Sequence, residues 1–377
     1  HHTSSYWAMY HVARHTTLKT RMTWQWYLER AAKTALKFGT SSVGFMDGTV
    51  AREVLLALIA EGAENATFAS YATTLSANMK VRQQHWASTP YPYGSEFGFD
   101  TTGQEEVVVW NMYFGNQSVA KKTVDHILSY MRSSATWAYN GGSRSWGDIG
   151  NNGKYLVTFG TGAQDRGQMH YRSGLNMIPL IEWYRANPDE LFLLEVSMGA
   201  IGGQMANIDA TGATSMMWHA VPYVMDFDPH SGDYGLGFFG NALESGAYFV
   251  QSPTLGALCY LCDATSDATS VEGGAAAVVL TPKDGFRINV FLEPLALYLQ
   301  AECGTFASIT FDLAARALTA SFSADAPCHV IRLRLTKTSS ARPGQGFTVP
   351  KATLVRGAYE IPVAAAGAET AVQVTWK

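Results

Sequence analysis

Carboxylates and aromatic rings alternate with glycines between residues 91 and 106. The acidic members are Glu96, Asp100, Glu105 and Glu106, and the aromatic members are Tyr91, Tyr93, Phe97 and Phe99. Glycoside hydrolysis uses two carboxyl groups beside the scissile bond, one of them protonated. Neighbouring rings exclude water and raise the pKa of a carboxyl group, as a general acid requires. This segment therefore predicts that Glu96, Glu105 and Glu106 are catalytic and that Tyr93 contacts substrate.

Two of these carboxylates also have a structural interpretation. Thr102 and Glu105 have the spacing of a helix capping box, and Glu106 would place a favourable charge in the first turn of the same helix. Glu96 lies in a glycine-flanked loop, where neither explanation applies.

A second group lies between residues 134 and 172. Glycines surround Trp137, Tyr139 and Trp146, so a ligand could approach the backbone there, and we predict that these rings bind substrate. The remaining candidates are Asp165, Arg166 and Arg172 for substrate binding and His170 and Tyr171 for catalysis. In a polysaccharide lyase, arginine would neutralise a uronate carboxylate, histidine would remove the adjacent proton and tyrosine would protonate the leaving oxygen. A solvated ion pair is the simpler interpretation of Asp165 and Arg166.

The sequence predicts neither a metal ion nor a cofactor. His11 and His15 are four residues apart but lack an intervening glutamate and a third ligand. The acidic stretch 226–233 departs from an EF-hand, because it has no glycine at the sixth position and no closing glutamate. Serine-hydrolase and P-loop fingerprints are not present in the sequence.

Composition narrows the class of protein. The 377 residues are 47% hydrophobic, 12% aromatic and only 15% charged, with a net charge of −4. This excludes a disordered chain and the basic surface of a nucleic-acid partner. No apolar run reaches the roughly 18–20 residues of a membrane span, so we expect no membrane association. Abundant aromatic rings and few charges are typical of proteins that bind carbohydrate.

Cysteines and glycosylation sequons favour a secreted, extracellular glycoprotein. The candidate disulfide residues are Cys259, Cys262, Cys303 and Cys328, with four buried thiols as the alternative. Asn65 and Asn116 each begin an unblocked Asn-X-Ser/Thr sequon and are predicted glycosylation sites.

The elements that must position these groups fall into two parts. Residues 1–240 predict an all-α domain with long loops at 88–103, 134–170 and 206–240, and residues 241–377 predict an antiparallel β-sandwich. Seven of the predicted helices have assigned bounds: 23–38, 49–61, 66–87, 102 onward, 118–133, 171–187 and 188–204. Predicted strands begin at about residue 275. Helix pairs joined by long loops indicate an (α/α) toroid, so the fold class is α+β multidomain.

Three strings carry a resemblance to a known family. They are residues 93–106 (YGSEFGFDTTGQEE), 164–172 (QDRGQMHYR) and 281–290 (TPKDGFRINV). Together they resemble a family of large secreted proteins known only as a domain of unknown function, with an α/α-toroid and a C-terminal β-sandwich. That resemblance implies an activity like that of glycoside hydrolases or polysaccharide lyases, and it assigns no catalytic residue.

These observations lead to one function and two alternatives. We predict a secreted glycoside hydrolase that cleaves a plant or microbial polysaccharide or oligosaccharide. A uronate-specific lyase and a non-catalytic carbohydrate-binding protein are the alternatives. Roughly eight or nine predicted helices fall short of the twelve in a closed toroid. We therefore expect a companion N-terminal polypeptide segment to complete the ring by packing against residues 1–60.

Overall fold

Helices make up the described chain as far as residue 244, and strands dominate beyond it. The computed structural model describes residues 1–40, 46–89, 103–129, 171–205, 208, 211–213, 234–267, 277–312, 316–338, 346–364 and 368–376. The chain divides into two compact units. The helical unit comprises His1–Trp7 and Leu28–Glu244, and the sandwich unit comprises Ala8–Tyr27 and Ser245–Lys377. The predicted boundary after residue 240 thus lies inside a helix, and an N-terminal segment groups with the strands.

Nine α-helices lie within the described residues. Their bounds are α1 His2–His15, α2 Trp24–Ala35, α3 Gly48–Gly62, α4 Ala66–Ser88, α5 Gln104–Tyr113, α6 Gln117–Ser129, α7 Tyr171–Ala186, α8 Leu191–Met205 and α9 Tyr234–Glu244. Helices α2 to α8 lie where the sequence predicts helices. The sequence did not predict α1 or α9, and α9 begins inside the predicted loop 206–240. Glycines at three of its first seven positions weaken the helix pattern, and tertiary packing overrides that low propensity.

The helix ends follow their local sequence. Asn65 caps α4, because its side-chain oxygen accepts hydrogen bonds from the backbone N–H groups of Thr67 at 3.0 Å and Phe68 at 3.3 Å. Helix α5 begins at Gln104, with Gly103 as the N-cap residue and without a side-chain cap. The alternative interpretation of Glu105 as a capping-box residue is therefore wrong, since its carboxylate bonds to another helix.

Packing in the helical unit joins neighbours along the chain. Short connections at 63–65, 114–116 and 187–190 link α3 to α4, α5 to α6 and α7 to α8, and the members of each pair are in contact. Helix α7 also packs against α9. A core cluster of Val109, Met177, Ile178 and Ala200 lies between α5, α7 and α8. This packing places polar side chains of α3, α7 and α9 within the same unit.

Thirteen strands are described in the sandwich unit. Their bounds are β1 Ala247–Ser252, β2 Gly256–Tyr260, β3 Cys262–Asp267, β4 Ala277–Pro282, β5 Asn289–Leu292, β6 Leu297–Cys303, β7 Phe306–Asp312, β8 Ala317–Phe322, β9 Val330–Lys337, β10 Phe347–Thr348, β11 Thr353–Val355, β12 Ala358–Pro362 and β13 Thr370–Trp376. The sequence predicted β4 to β9 and β11 to β13. The first three strands begin earlier than expected.

The strands form two sheets that share one core. Their orders are β11-β12-β9-β6-β5-β1-β2 and β10-β13-β8-β7-β4-β3. Pairing is antiparallel except between β1 and β5, which run parallel. Inward-facing residues alternate along β8, where Leu318, Ala320 and Phe322 are buried. The ring centroids of Phe249 and Phe311, from opposite sheets, are 5.2 Å apart. The C-terminal region is therefore a β-sandwich rich in antiparallel strands.

All four cysteines are paired in the sandwich unit. Cys259 bonds to Cys262 across the β2–β3 turn, and Cys303 bonds to Cys328. The prediction of two disulfides is confirmed, and the alternative of four free thiols is wrong. Of the described helices, none combines the length and apolar character needed to cross a membrane.

Candidate functional site

Glu105 joins the beginnings of two helices. It is fully buried, and its Oε2 accepts a hydrogen bond from the backbone N–H of Gly48 at 2.8 Å. Its Oε1 accepts from the backbone N–H of Thr49 at 2.6 Å and from the Thr49 hydroxyl. Since the N-cap residue of α3, Asp47, makes no side-chain cap bond, Glu105 satisfies these N–H groups instead. The structure places this predicted catalytic residue as the cap of α3.

Two features set the environment of Glu105. A Cβ atom at Gly48 would lie 2.5 Å from the Glu106 Cα, so only glycine lets α3 and α5 approach this closely. Burial raises the pKa of Glu105 to about 7, although the hydrogen bonds from Thr49 and Gly48 act in the opposite direction. The raised pKa expected of a catalytic acid is present, but both carboxyl oxygens are bound by groups at the start of α3.

Glu106 is turned towards α4 rather than towards Glu105. Its carboxylate forms a two-point ion pair with the buried Arg82, at 2.5 Å from Nε and 2.8 Å from Nη2. Arg82 also donates to the Phe38 carbonyl at 3.0 Å. Glu105 and Glu106 therefore contact different helices and do not face a common cleft.

The structure does not describe the side chains of the other predicted catalytic and substrate-binding residues. Glu96, Tyr93, Trp137, Tyr139, Trp146, Asp165, Arg166 and His170 lie outside the described residues. Tyr171 and Arg172 form the first turn of α7, and only their backbone is described. Their assignments stay predictions.

A different pair of carboxyl groups meets between α7 and α9. A Cβ atom at Gly240 would lie 2.1 Å from Cδ1 of Ile178, so glycine brings the two helices into close approach. Glu182 and Glu244 each lie four residues further along, on the same helix faces as this contact. Both glutamates are buried, and their side chains are hydrogen-bonded to each other.

Two arginines and a third glutamate complete this group. Nη1 of Arg52, on α3, is 2.7 Å from the Glu182 carboxylate, and Nη1 of Arg185 is 2.5 Å from Oε2 of Glu244. Nη2 of Arg52 lies 3.2 Å from Oε1 of Glu53 and 3.8 Å from Oε1 of Glu244. We call these five residues the carboxyl cluster: Arg52, Glu53, Glu182, Arg185 and Glu244.

The two buried glutamates of the carboxyl cluster have different pKa values. Burial raises the pKa of Glu244 to about 8, and the negative charge of Glu182 adds to the increase despite Arg185 and Arg52. Burial also acts to raise the pKa of Glu182, but the charges of Arg52 and Arg185 outweigh it and hold that pKa below its usual range. At neutral pH Glu244 therefore holds a proton while Glu182 is ionised, the arrangement of an acid–base pair.

Solvent reaches the carboxyl cluster through its α3 members. The side chain of Glu53 is 21% exposed and that of Arg52 is 16% exposed, whereas that of Glu244 is 4% exposed. Tyr113, at the end of α5, is 38% exposed. Burial raises the pKa of Tyr113 and the Arg52 charge lowers it, so its hydroxyl lies within the electrostatic reach of that guanidinium. The exposed Tyr113 ring thus lies within the electrostatic reach of the partly exposed Arg52.

A second buried charge group lies in the sandwich unit. Arg332 donates from Nε to Glu302 at 3.0 Å and also bonds to Glu360, and Arg334 donates from Nε to Glu302 at 2.9 Å. His11 and His15 lie beside this group on α1. In the described part of the chain, no three His, Cys, Asp or Glu side chains are arranged to hold a metal ion.

Both glycosylation sequons lie at helix N-termini. The Asn65 side chain caps α4, and the Asn116 side-chain oxygen accepts from the Ser118 hydroxyl at 3.1 Å just before α6. Thr67, of the first sequon, lies in the exposed first turn of α4. Glycosylation at these positions stays a prediction.

The comparison with known families covers nearly the whole chain. The model of the family of unknown function DUF5695 matches residues 1–371. The chain belongs to the DUF5695 family. No curated protein and no solved structure matches it. The resemblance to a family of unknown function is thus confirmed, and DUF5695 membership by itself names no activity.

Sequence reasoning missed the carboxyl cluster of this DUF5695 protein, although its residues carry a signal. Glu182 interrupts the apolar run Ile178–Tyr184, and Glu244 ends an apolar helix. Arg52 and Glu53 likewise precede the apolar stretch of α3. Charges inside apolar helices are rare unless they are paired. That rule could have identified these four residues as partners.

Proposed function

We propose that the protein hydrolyses glycosidic bonds, with Glu244 as the general acid and Glu53 as the facing carboxylate. The observation that carries this proposal is the position of Arg52 Nη2, 3.2 Å from Glu53 Oε1 and 3.8 Å from Glu244 Oε1. The two oxygens are therefore no more than about 7 Å apart, and paired carboxyl groups act at about 5–5.5 Å in retaining and about 6.5–9.5 Å in inverting glycosidases.

Four of the five cluster members have a role in this proposal. Glu244, protonated at neutral pH, would donate its proton to the leaving glycosidic oxygen. Glu53 would attack the anomeric carbon or take a proton from the attacking water. Glu182 is a positioning residue, because its charge and hydrogen bond keep the proton on Glu244. Arg52 would hold all three carboxyl groups in register.

The proposal moves the catalytic pair away from 96–106. Glu105 caps α3 and Glu106 neutralises Arg82, so both have structural partners. Glu96 stays a predicted catalytic residue outside the described part of the chain. The same carboxylate chemistry is therefore assigned to α3 and α9.

Two further expectations belong with this function. The hairpin-like pairs α3–α4, α5–α6 and α7–α8, with connections at 63–65, 114–116 and 187–190, favour an α/α-toroid. Two disulfides favour secretion, since such bonds persist in oxidising compartments. Both statements are proposals about the whole protein.

The test measures release of reducing ends from a panel of polysaccharides, oligosaccharides and dinitrophenyl glycosides. Glu244→Gln and Glu53→Gln should each lower kcat on natural glycans by about 100- to 10,000-fold, the usual contribution of general acid–base catalysis. Glu29→Gln is the matched control, because Glu29 pairs only at the surface with Lys33. It should retain wild-type turnover.

The activated substrates separate a catalytic acid from a structural glutamate. A dinitrophenyl leaving group needs no proton, so Glu244→Gln should lose far less activity on it than on a natural glycan. Glu53→Gln should lose activity on both. Wild-type turnover in both variants, or no reducing ends from any panel member, would reject the assignment. Absorbance growing near 235 nm during digestion would reveal a lyase instead.

A further inference from the structure

The charge count of the carboxyl cluster restricts its substrate. Two guanidinium groups, from Arg52 and Arg185, face the three carboxyl groups of Glu53, Glu182 and Glu244. With every carboxyl group ionised the cluster has a net charge of −1, and with one of them protonated it is neutral. In neither state does it offer net positive charge to an anionic ligand.

The arginines are also already engaged by the protein. Arg52 contacts the carboxylate of Glu182, on α7, at 2.7 Å and that of the adjacent Glu53 at 3.2 Å. Arg185 contacts Glu244 at 2.5 Å. A uronate or sulfate group entering here would have to displace a carboxylate from its arginine partner, which is unfavourable because the displaced charge is left unpaired.

An exposed aromatic ring supplies the complementary contact. The Tyr113 ring packs edge-on against Trp110 and Phe114, with centroids 5.3 and 5.0 Å apart, so two neighbours restrain its orientation. Tyr113 is nevertheless 38% exposed. A pyranose ring has one face of C–H groups, and stacking that face on an oriented aromatic ring requires no charge.

From the cluster's charge balance and the exposed, oriented ring beside it, we propose that this site takes an uncharged glycan, with one sugar ring stacked on Tyr113. The inference rests on the proposed function, since it names the substrate class of the same site. It also favours a hydrolase over a uronate lyase, because the lyase reaction requires an arginine available to neutralise the substrate.

Binding is the decisive measurement, because it needs no turnover. Calorimetry with the Glu244→Gln protein would use uronate-containing polysaccharides, their carboxyl-reduced derivatives with identical linkages, and natural neutral glycans. Neutral or reduced polymers should bind at least about tenfold more tightly than their charged parents. Their Kd should change less than about twofold between 50 and 500 mM NaCl, because no ion pair is formed.

Tyr113 has its own matched variants. Tyr113→Ala should weaken binding of the neutral glycan about tenfold, whereas Tyr113→Phe, which keeps the ring, should bind within about twofold of the parent. Tyr71→Ala removes a tyrosine of α4 outside the cluster and should bind like the parent.

Failure of this inference is distinct from failure of the proposed function. Preference for the uronate polymer, strong salt dependence, equal binding by Tyr113→Ala, or no binding of any neutral polymer would each overturn it. Neutral-glycan binding through Tyr113 without hydrolysis would retain the ligand class and reject the enzyme. Hydrolysis that depends on Glu244 but prefers charged polymers would retain the proposed enzyme and reject the uncharged ligand class.

Discussion

The two units hold buried charges in different proportions. In the carboxyl cluster of the helical unit, two arginines meet three carboxyl groups. Among the described residues of the sandwich unit, Arg332 and Arg334 form ion pairs with two carboxyl groups, those of Glu302 and Glu360. Register accounts for part of the second arrangement, because Glu302 lies at a bulge of β6 against β9, where it contacts both arginines.

The ratio of arginines to carboxyl groups determines which carboxyl groups are protonated. In the sandwich unit, burial acts to raise the pKa of Glu302, but Arg334 and Arg332 hold it down at about 2. Burial lowers the pKa of His11 to about 4 and that of His15 to about 2, so both are neutral. In the carboxyl cluster, the surplus carboxyl group of Glu244 keeps a proton instead. The carboxyl group of the balanced cluster is thus ionised, whereas the surplus carboxyl group stays protonated; under the proposed function, this proton is the one donated to the substrate.

The strongest way to break this comparison is Glu302→Gln. Removing one charge from the balanced cluster leaves the buried Arg332 and the partly exposed Arg334 with a single carboxylate, and we expect a loss of about 3–5 kcal/mol in the free energy of unfolding. Urea denaturation of the intact protein measures this loss. Glu369→Gln, at an exposed residue of the same unit, should cost almost nothing. Equal stability of the two variants would contradict the structural role.

Glu106→Gln tests whether charge balance, or the unit in which the charges lie, determines the stability lost when one carboxylate is removed. Glu106 and Arg82 form a balanced buried pair in the helical unit, so the substitution should also cost about 3–5 kcal/mol. The same denaturation experiment applies, with Glu29→Gln as the control. If Glu106→Gln lowers the free energy of unfolding by less than about 1 kcal/mol, then the stability lost depends on the unit and not on charge balance.

The pH dependence should have opposite signs in the two units. Unfolded His11 and His15 bind protons below about pH 6.5, whereas the folded sandwich unit leaves His11 neutral until about pH 4. Lowering the pH through that window therefore favours its unfolding. Folded Glu244 and Glu105 hold protons up to about pH 8 and 7, whereas the unfolded chain releases them near 4.5. Raising the pH between 4.5 and 8 therefore destabilises the helical unit.

Each linked proton changes the unfolding free energy by at most about 1.4 kcal/mol per pH unit. Pulse proteolysis in urea, with fragments assigned to each unit by mass, follows the two units separately. If the stability of both units changed with pH in the same direction, the proposed difference in their bound protons would be wrong.

The smallest expected effect belongs to Glu244→Gln. Glutamine has nearly the shape of the protonated acid, so below pH 8 the substitution should change the unfolding free energy by less than about 1 kcal/mol. Urea denaturation at pH 6, compared with Glu302→Gln under the same conditions, measures it. A loss as large as that of Glu302→Gln would mean that Glu244 is ionised in the folded protein.

Periodicity and cap residues predicted most of the elements. The apolar spacing of α3, the cap at Asn65 and the alternating strands from β4 onward are local signals that tertiary packing reinforces. Helix α9 was missed because its glycines lower helix propensity. One of them, Gly240, is the residue that brings Glu244 towards Glu182.

The candidate site was harder to predict than the helices and strands, because its residues meet only when the helices pack. Glu105 and Glu106 are adjacent in sequence but contact α3 and α4 respectively, since successive helical residues point about 100° apart. Glu53 and Glu244 are distant in sequence and meet at one guanidinium. A local cluster of acidic residues cannot reveal that pairing.

The division of the chain also determines when the sandwich unit can fold during synthesis. Ala8–Tyr27 belongs to that unit, yet residues 28–244 are translated before the first strand, Ala247–Ser252. At about 5–20 residues per second, the segment waits on the order of 10–40 s for its partners. During that interval the emerging chain exposes Tyr10, which is buried in the folded protein, together with Trp24. Thr16 pairs with Cys328, which is translated later than that first strand. The apolar side chains of Ala8–Tyr27 therefore stay without their folded partners until the strands that follow Glu244 have been made.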